Sequence, residues 1–158
     1  MTDITNLSTV NVAISNYIAV VTMNNPPVNA QNRQFHDDLT LAFDVLSDRN
    51  DVRSIVLTGA GKCFSAGADI KGRASQESDL GDHWVHSRRV RECFYSIMEC
   101  RKPVIAAING AALGAGLAVA ASADILIASE SASVGLPEIN VGLLGGGRHA
   151  MRLFSHSQ

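Results

Sequence analysis

Residues Val104 to Ala128 read VIAAINGAALGAGLAVAASADILIA, and this stretch decides the fold class. It is the most apolar part of the chain, yet Asn109, Gly110, Gly114, Gly116 and Asp124 interrupt it. A membrane span would leave those groups in hydrocarbon without partners. A buried strand–helix–strand unit accommodates them: strand Val104–Ile108, a small-residue helix Gly114–Ser122, and strand Asp124–Ala128. Alternation of this kind indicates an α/β domain with mainly parallel pairing.

Toward the N-terminus, Val90, Cys93, Phe94, Ile97 and Met98 recur at helical spacing. Arg101 and Lys102 suit that helix's negative end, and Pro103 terminates it. Gly72 to Asp82 is polar and reads as a surface loop, and Ser54–Thr58 as a short buried strand ending at Gly59-Ala60-Gly61. Phe35, Leu39, Ala42, Phe43 and Leu46 predict a further helix, with Asn29 or Asn32 as its N-cap. Val10–Ile14 and Ile18–Met23 predict a hairpin across Ser15-Asn16-Tyr17, stopped by Asn24-Asn25-Pro26-Pro27. Beyond the deciding stretch, Ala150, Leu153 and Phe154 begin a helical stripe four residues before Gln158. That pattern carries the expectation of a truncated product, incomplete at its C-terminus and prone to associate through uncovered apolar faces. No repeat with a clear sequence period is present.

A chain of 158 residues, 46% hydrophobic and 18% charged, fits one globular domain with a real core. The net charge of −2 comes without a Lys/Arg block, which argues against nucleic acid as a partner. Cys63, Cys93 and Cys100 are widely spaced and read as reduced thiols in a cytoplasmic compartment. Met1 to Asn11 has the pattern of neither a signal nor a transit peptide.

Three segments carry candidate chemistry. In Phe64-Ser65-Ala66-Gly67-Ala68-Asp69-Ile70-Lys71, small residues let a ligand approach the backbone, whose N–H groups can bind an oxyanion. Taken alone, the segment is an ordinary tight turn. In Ile108–Ala118 a strand runs through a glycine-rich turn into a helix, whose free N–H groups and dipole favour negative charge. Close helix–sheet packing explains the same residues equally well. In Gly135-Leu136-Pro137-Glu138-Ile139-Asn140-Val141-Gly142, followed by Gly145-Gly146-Gly147, Pro137 and Glu138 also suit a helix start. His83 and His86 lie at i, i+3 without an evident third metal ligand and read as a solvated face. Arg148 and His149 read as surface residues, and Cys63 as a small buried one.

Together, in this order and spacing, the three segments resemble the crotonase (enoyl-CoA hydratase/isomerase) family, over nearly the whole chain from Val10 to Phe154. The prolines of Asn24–Asn29 and the strand entry Lys102-Pro103-Val104 fit the same pattern. The resemblance implies an α/β fold, a crotonase-like spiral of repeated ββα units, here truncated before the C-terminal helices. It implies an acyl-CoA thioester as substrate, with coenzyme A as part of that substrate and no permanently bound cofactor. One backbone donor of an oxyanion hole falls on Ala68 and the other on Ala115. Ala66, Ala68 and Lys71 fall where the family's loop lies against coenzyme A, and Glu138 where the family places its proton-shuttling carboxylate. Family members pack as trimers or paired trimers, so a homotrimer or hexamer is expected of the full-length protein.

One departure is instructive. Hydratases of the family carry two glutamates around one water, and the first would fall on Ala118. A single carboxylate fits an enoyl-CoA isomerase, or a hydratase that works with one glutamate. The rival from another class is an acyl-CoA-binding pseudoenzyme or oligomer-interaction module without turnover. A nucleotide-binding dehydrogenase fits poorly: the fingerprint's third glycine would be Val119, and no acid stands ~20 residues on at a strand end.

Overall fold

The first two strands form the expected hairpin, β1 (Val10–Ser15) antiparallel to β2 (Ile18–Met23), with Val12 opposite Val21. Its two-residue turn, Asn16-Tyr17, has positive φ at both positions (50° and 64°), the handedness that matches strand twist. The computed structural model of the chain describes residues 4–70, 72 and 79–142.

From β2 the main sheet grows by parallel pairing through β3 (Ser54–Gly59), to which β5 (Val104–Ile108) and then β7 (Ile125–Ala128) are added. A second sheet, also parallel, has the order β4 (Cys63–Ser65), β6 (Ala111–Leu113), β8 (Val134–Gly135). Each strand of the second sheet follows a strand of the first after a short turn. Helices α1 (Arg33–Asp48), α2 (Leu80–Met98) and α3 (Ala115–Ala121) follow the β1–β2, β3–β4 and β5–β6 pairs. A 3₁₀ helix, Pro137–Val141, follows β7–β8. The chain is thus an α/β spiral of ββα units, as the resemblance implied. The unit repeats in space without a sequence period, because its second strand has only two or three residues. Strands that short carry no readable alternation, so β4 and β6 fall in segments that read as turns, and Gly135 of β8 in one that reads as a helix start.

The core forms where α1 packs on the main sheet and α2 packs on α1. Phe35, Leu39, Ala42, Phe43 and Leu46 of α1 are buried with Val21, Met23, Ile55, Leu57, Cys93 and Ile97 in one cluster. Truncating a buried phenylalanine such as Phe43 typically costs about 3–5 kcal/mol, a large share of a small domain's stability. Asn32, the second of the two cap candidates, caps α1: its Oδ1 accepts from the Phe35 N–H at 2.8 Å. Asn29 does other work, donating through Nδ2 to the carbonyls of Ala60 (3.0 Å) and Cys63 (2.8 Å).

Two readings need correction. Helix α2 begins at Leu80, inside the segment read as a loop to Asp82. Asp79 explains the earlier start, since its Oδ1 accepts from the Asp82 N–H at 2.9 Å. The final strand of the deciding stretch begins at Ile125, because Asp124 turns its carboxylate to the Val104 N–H (2.9 Å) and closes the strand entry. Ala150, Leu153 and Phe154 lie outside the described residues. Among the described residues no helix is long and apolar enough to cross a membrane.

Candidate active site

The C-terminal ends of the three strands of the second sheet point the same way, because the strands pair in parallel, with one register shift between Cys63 and Ser65. Beyond β4 come Ala66-Gly67-Ala68, beyond β6 come Gly114-Ala115, and beyond β8 come Leu136-Pro137-Glu138. Three segments far apart in sequence are therefore collected at one edge, the end of a parallel sheet where ligands characteristically bind.

Hydrogen-bond accounting singles out individual groups there. In the first loop, the Ala66 N–H donates to Val28 O (3.0 Å), Gly67 N–H to Ser65 Oγ (3.3 Å) and Asp69 N–H to Gln31 O (3.0 Å). The Ala68 N–H donates to no group among the described residues, and Ala68 is exposed. Its orientation follows from the neighbouring bond. Gly67 O, on the same trans peptide plane, accepts from the Gln31 N–H at 2.8 Å, so the Ala68 N–H points away from Gln31.

The same geometry recurs at α3. Gly114 O accepts from the Ala118 N–H (3.1 Å), so the Ala115 N–H on the shared peptide plane points out of the helix start. Gly114 is held by its own N–H donating to Gly135 O at 2.9 Å. The two loops touch. Gly67 (φ +88°) lies so close to β6 that an added β-carbon would come 2.6 Å from Leu113 O and 3.2 Å from Ala115 N. Glycine at 67 and at 116, where a β-carbon would meet Ser65 O at 2.2 Å, is what lets these backbones approach.

Glu138 completes the cluster. Its Oε1 would lie 2.8 Å from a β-carbon at Gly114, so the carboxylate rests on the α-carbon next to Ala115. Its other oxygen, Oε2, is buried and has no hydrogen-bond partner among the described residues. A buried carboxylate oxygen left unpaired is costly and uncommon, which marks it as a group awaiting a partner. Ala118, on the inner face of α3, is fully buried.

The structure thus brings Ala66, Ala68, Ala115 and Glu138 to one sheet edge, while Lys71, Gly145-Gly146-Gly147, Arg148 and His149 lie outside the described residues. Cys63 sits in β4 with its Sγ donating to Ala111 O (3.2 Å), and partial burial pushes its thiol pKa up, away from a nucleophile's range. His83 is exposed, whereas His86 is half-buried with its ring 6.0 Å from that of His36, so the pair does not share one solvated face. Among the described residues no three His, Cys, Asp or Glu side chains group as metal ligands. Sequence reasoning missed Gln31, Ser65 and His36, which are buried polar residues behind the first loop. The only signal was a run of amide side chains, Asn24 to Gln34, too polar for a plain connection.

Known proteins resemble the chain in sequence and in fold. A family model described as enoyl-CoA hydratase/isomerase matches residues 13–155. A probable enoyl-CoA hydratase of Bacillus subtilis is 39% identical over 147 residues, which cover 93% of this chain and 57% of the relative. A (7aS)-7a-methyl-1,5-dioxo-2,3,5,6,7,7a-hexahydro-1H-indene-carboxyl-CoA hydrolase of Mycobacterium tuberculosis is 38% identical over 137 residues, 86% of this chain and 55% of the relative. An enoyl-CoA hydratase/carnithine racemase structure from Magnetospirillum magneticum superposes with a TM-score of 0.87 at 27% identity, covering 94% of this chain and 56% of that one. The chain spans just over half the length of these relatives. On the match of model, sequence and fold, the chain belongs to the enoyl-CoA hydratase/isomerase family.

Proposed function

We propose that this chain forms the enolate-stabilising core of an acyl-CoA thioester enzyme, an enoyl-CoA isomerase or hydratase that works with a single carboxylate, Glu138. One observation carries the reading: two backbone N–H groups (Ala68, Ala115) and a carboxylate oxygen (Glu138 Oε2), all unpaired among the described residues, share one edge of a parallel sheet.

Removing a proton α to a thioester moves negative charge onto the thioester oxygen. Two fixed N–H donors stabilise that charge, and losing one such donor typically costs about a hundred- to a thousandfold in rate. On a 3-enoyl thioester, the Glu138 carboxylate takes the α-proton and leaves a dienolate. Returning the same proton to the γ-carbon shifts the double bond to the 2-position and regenerates the carboxylate. Hydration asks one carboxylate to take a proton from water as it adds at the β-carbon and to deliver it to the α-carbon. With Ala118 in place of a second acid, the isomerase is the favoured member of the pair. Coenzyme A enters as part of the substrate, with Ala66, Ala68 and Lys71 beside its nucleotide. The full-length protein would work as a homotrimer or hexamer.

The test is turnover of but-3-enoyl-CoA and but-2-enoyl-CoA by the full-length protein and by Glu138→Gln. The variant keeps the shape and removes the base, so turnover should fall roughly a hundred- to ten-thousandfold with acyl-CoA affinity nearly intact. Equal rates would assign Glu138 to the 3₁₀ helix start alone. Binding by the parent without turnover would establish the non-catalytic alternative.

A further inference from the structure

Behind the first loop lies a chain of buried polar side chains that the proposed chemistry does not use. Gln31, His36 and Ser65 are 2%, 1% and 0% exposed, in a region where apolar side chains would fill the same space without a desolvation cost. We infer that Gln31 is a positioning residue for the Ala68 donor, acting through a His36–Gln31–Ser65 hydrogen-bond chain that holds the Gly67–Ala68 peptide in one orientation. This rests on the oxyanion-hole reading above and deepens it.

The backbone of Gln31 brackets Ala68. Its N–H donates to Gly67 O (2.8 Å) and its carbonyl accepts from the Asp69 N–H (3.0 Å), an isolated parallel bridge rather than part of a longer strand. A single bridge without neighbours is weakly held by the ladder, so its geometry depends on what anchors Gln31 and the loop from behind.

The side chains supply that anchor in one consistent direction. Ser65 Oγ lies 2.7 Å from Asn29 O and 3.3 Å from both the Gly67 nitrogen and Gln31 Nε2. The hydroxyl has one proton, which goes to Asn29 O, so Ser65 Oγ accepts from Gly67 and from Gln31. The Gln31 amide therefore faces Ser65 with its NH₂ and turns Oε1 to His36 Nε2 at 3.3 Å. With Oε1 facing it, His36 Nε2 supplies the proton of that bond, and Nδ1, also buried, has no hydrogen-bond partner among the described residues. Burial, with the charges of His86 and Arg89, pushes the His36 pKa down to about 4, which keeps that neutral tautomer in place. Ser65 Oγ joins the Gln31 amide and the Gly67 N–H, so the Gln31 rotamer, the Ser65 hydroxyl and the Gly67 N–H are set together. The chain ends on the peptide unit next to the Ala68 donor.

A donor displaced by ~1 Å loses much of its effect on a transition state while ground-state binding barely changes. The experiment compares but-3-enoyl-CoA turnover by the full-length protein, Gln31→Met, Ser65→Ala and the double variant, with Glu138→Gln alongside. Methionine keeps the length and the backbone bridge of Gln31 and removes only the side-chain bonds. Each single variant should lower kcat about ten- to a hundredfold with KM within about twofold, and the double variant should be no worse than the weaker single. Parental kcat in Gln31→Met, a parallel loss of KM and kcat, or additive losses in the double variant would overturn the positioning role. Should Gln31→Met fail to fold, the kcat–KM split of Ser65→Ala decides. Lost turnover in Glu138→Gln with unchanged Gln31→Met rejects this inference alone, whereas unchanged Glu138→Gln rejects the reading beneath it.

Discussion

The carboxylate of Glu138 rests directly on the α-carbon of Gly114: a β-carbon there would lie 2.8 Å from Oε1 and 3.4 Å from the carboxyl carbon. Gly114 also has φ 54° and ψ −121°, a conformation that side-chain-bearing residues rarely adopt. Gly114→Ala should therefore act twice. Backbone strain should lower stability by about 1–3 kcal/mol, visible in urea unfolding. The displaced carboxylate should lower turnover beyond what that loss explains, measured at a temperature where the variant is fully folded.

Ala115 is the first residue of α3, and its N–H has no acceptor within the helix. Proline is well tolerated at that position because its missing N–H was unpaired anyway. Ala115→Pro should leave the far-ultraviolet circular dichroism unchanged and lower turnover about a hundred- to a thousandfold, the usual loss for one oxyanion donor. Retained turnover would show that this N–H does not face the developing charge.

His36 should make the fold acid-sensitive. Its pKa falls from 6.5 to about 4 in the folded chain, first through burial and then through His86 and Arg89, with Asp37 and the Asn32 backbone opposing. Between those values the unfolded chain takes up a proton that the folded chain refuses, so stability falls as pH drops below 6.5. The loss should reach about 2 kcal/mol at pH 5, measured by urea unfolding at pH 7 and pH 5. His36→Phe should flatten that slope.

Large apolar side chains stay exposed on three successive elements: Ile127 of β7, Val134 of β8 and Ile139 of the 3₁₀ helix are 59%, 60% and 82% exposed. Exposed apolar surface commonly drives association. The 158-residue chain should self-associate in sedimentation velocity, and Ile127→Lys with Ile139→Lys should shift it toward monomer.

Much of this molecule was legible in the chain itself. The helical spacing of Phe35, Leu39, Ala42, Phe43 and Leu46, and the strand–helix–strand pattern of Val104–Ala128, follow from local propensity and burial, which act over a few residues. The small residues of Phe64–Ala68 and Gly110–Gly116 likewise declared close backbone approach. Tertiary structure alone decided the rest. Strands β4, β6 and β8 are too short to stand by themselves and exist because each is paired by the next. That pairing brings Ala68, Ala115 and Glu138 to one edge. Gln31 could not be recognised in advance, since a glutamine's role depends on which donor and acceptor meet it across the fold. Here they are His36, five residues away, and Ser65, thirty-four residues away, a distance no local pattern spans.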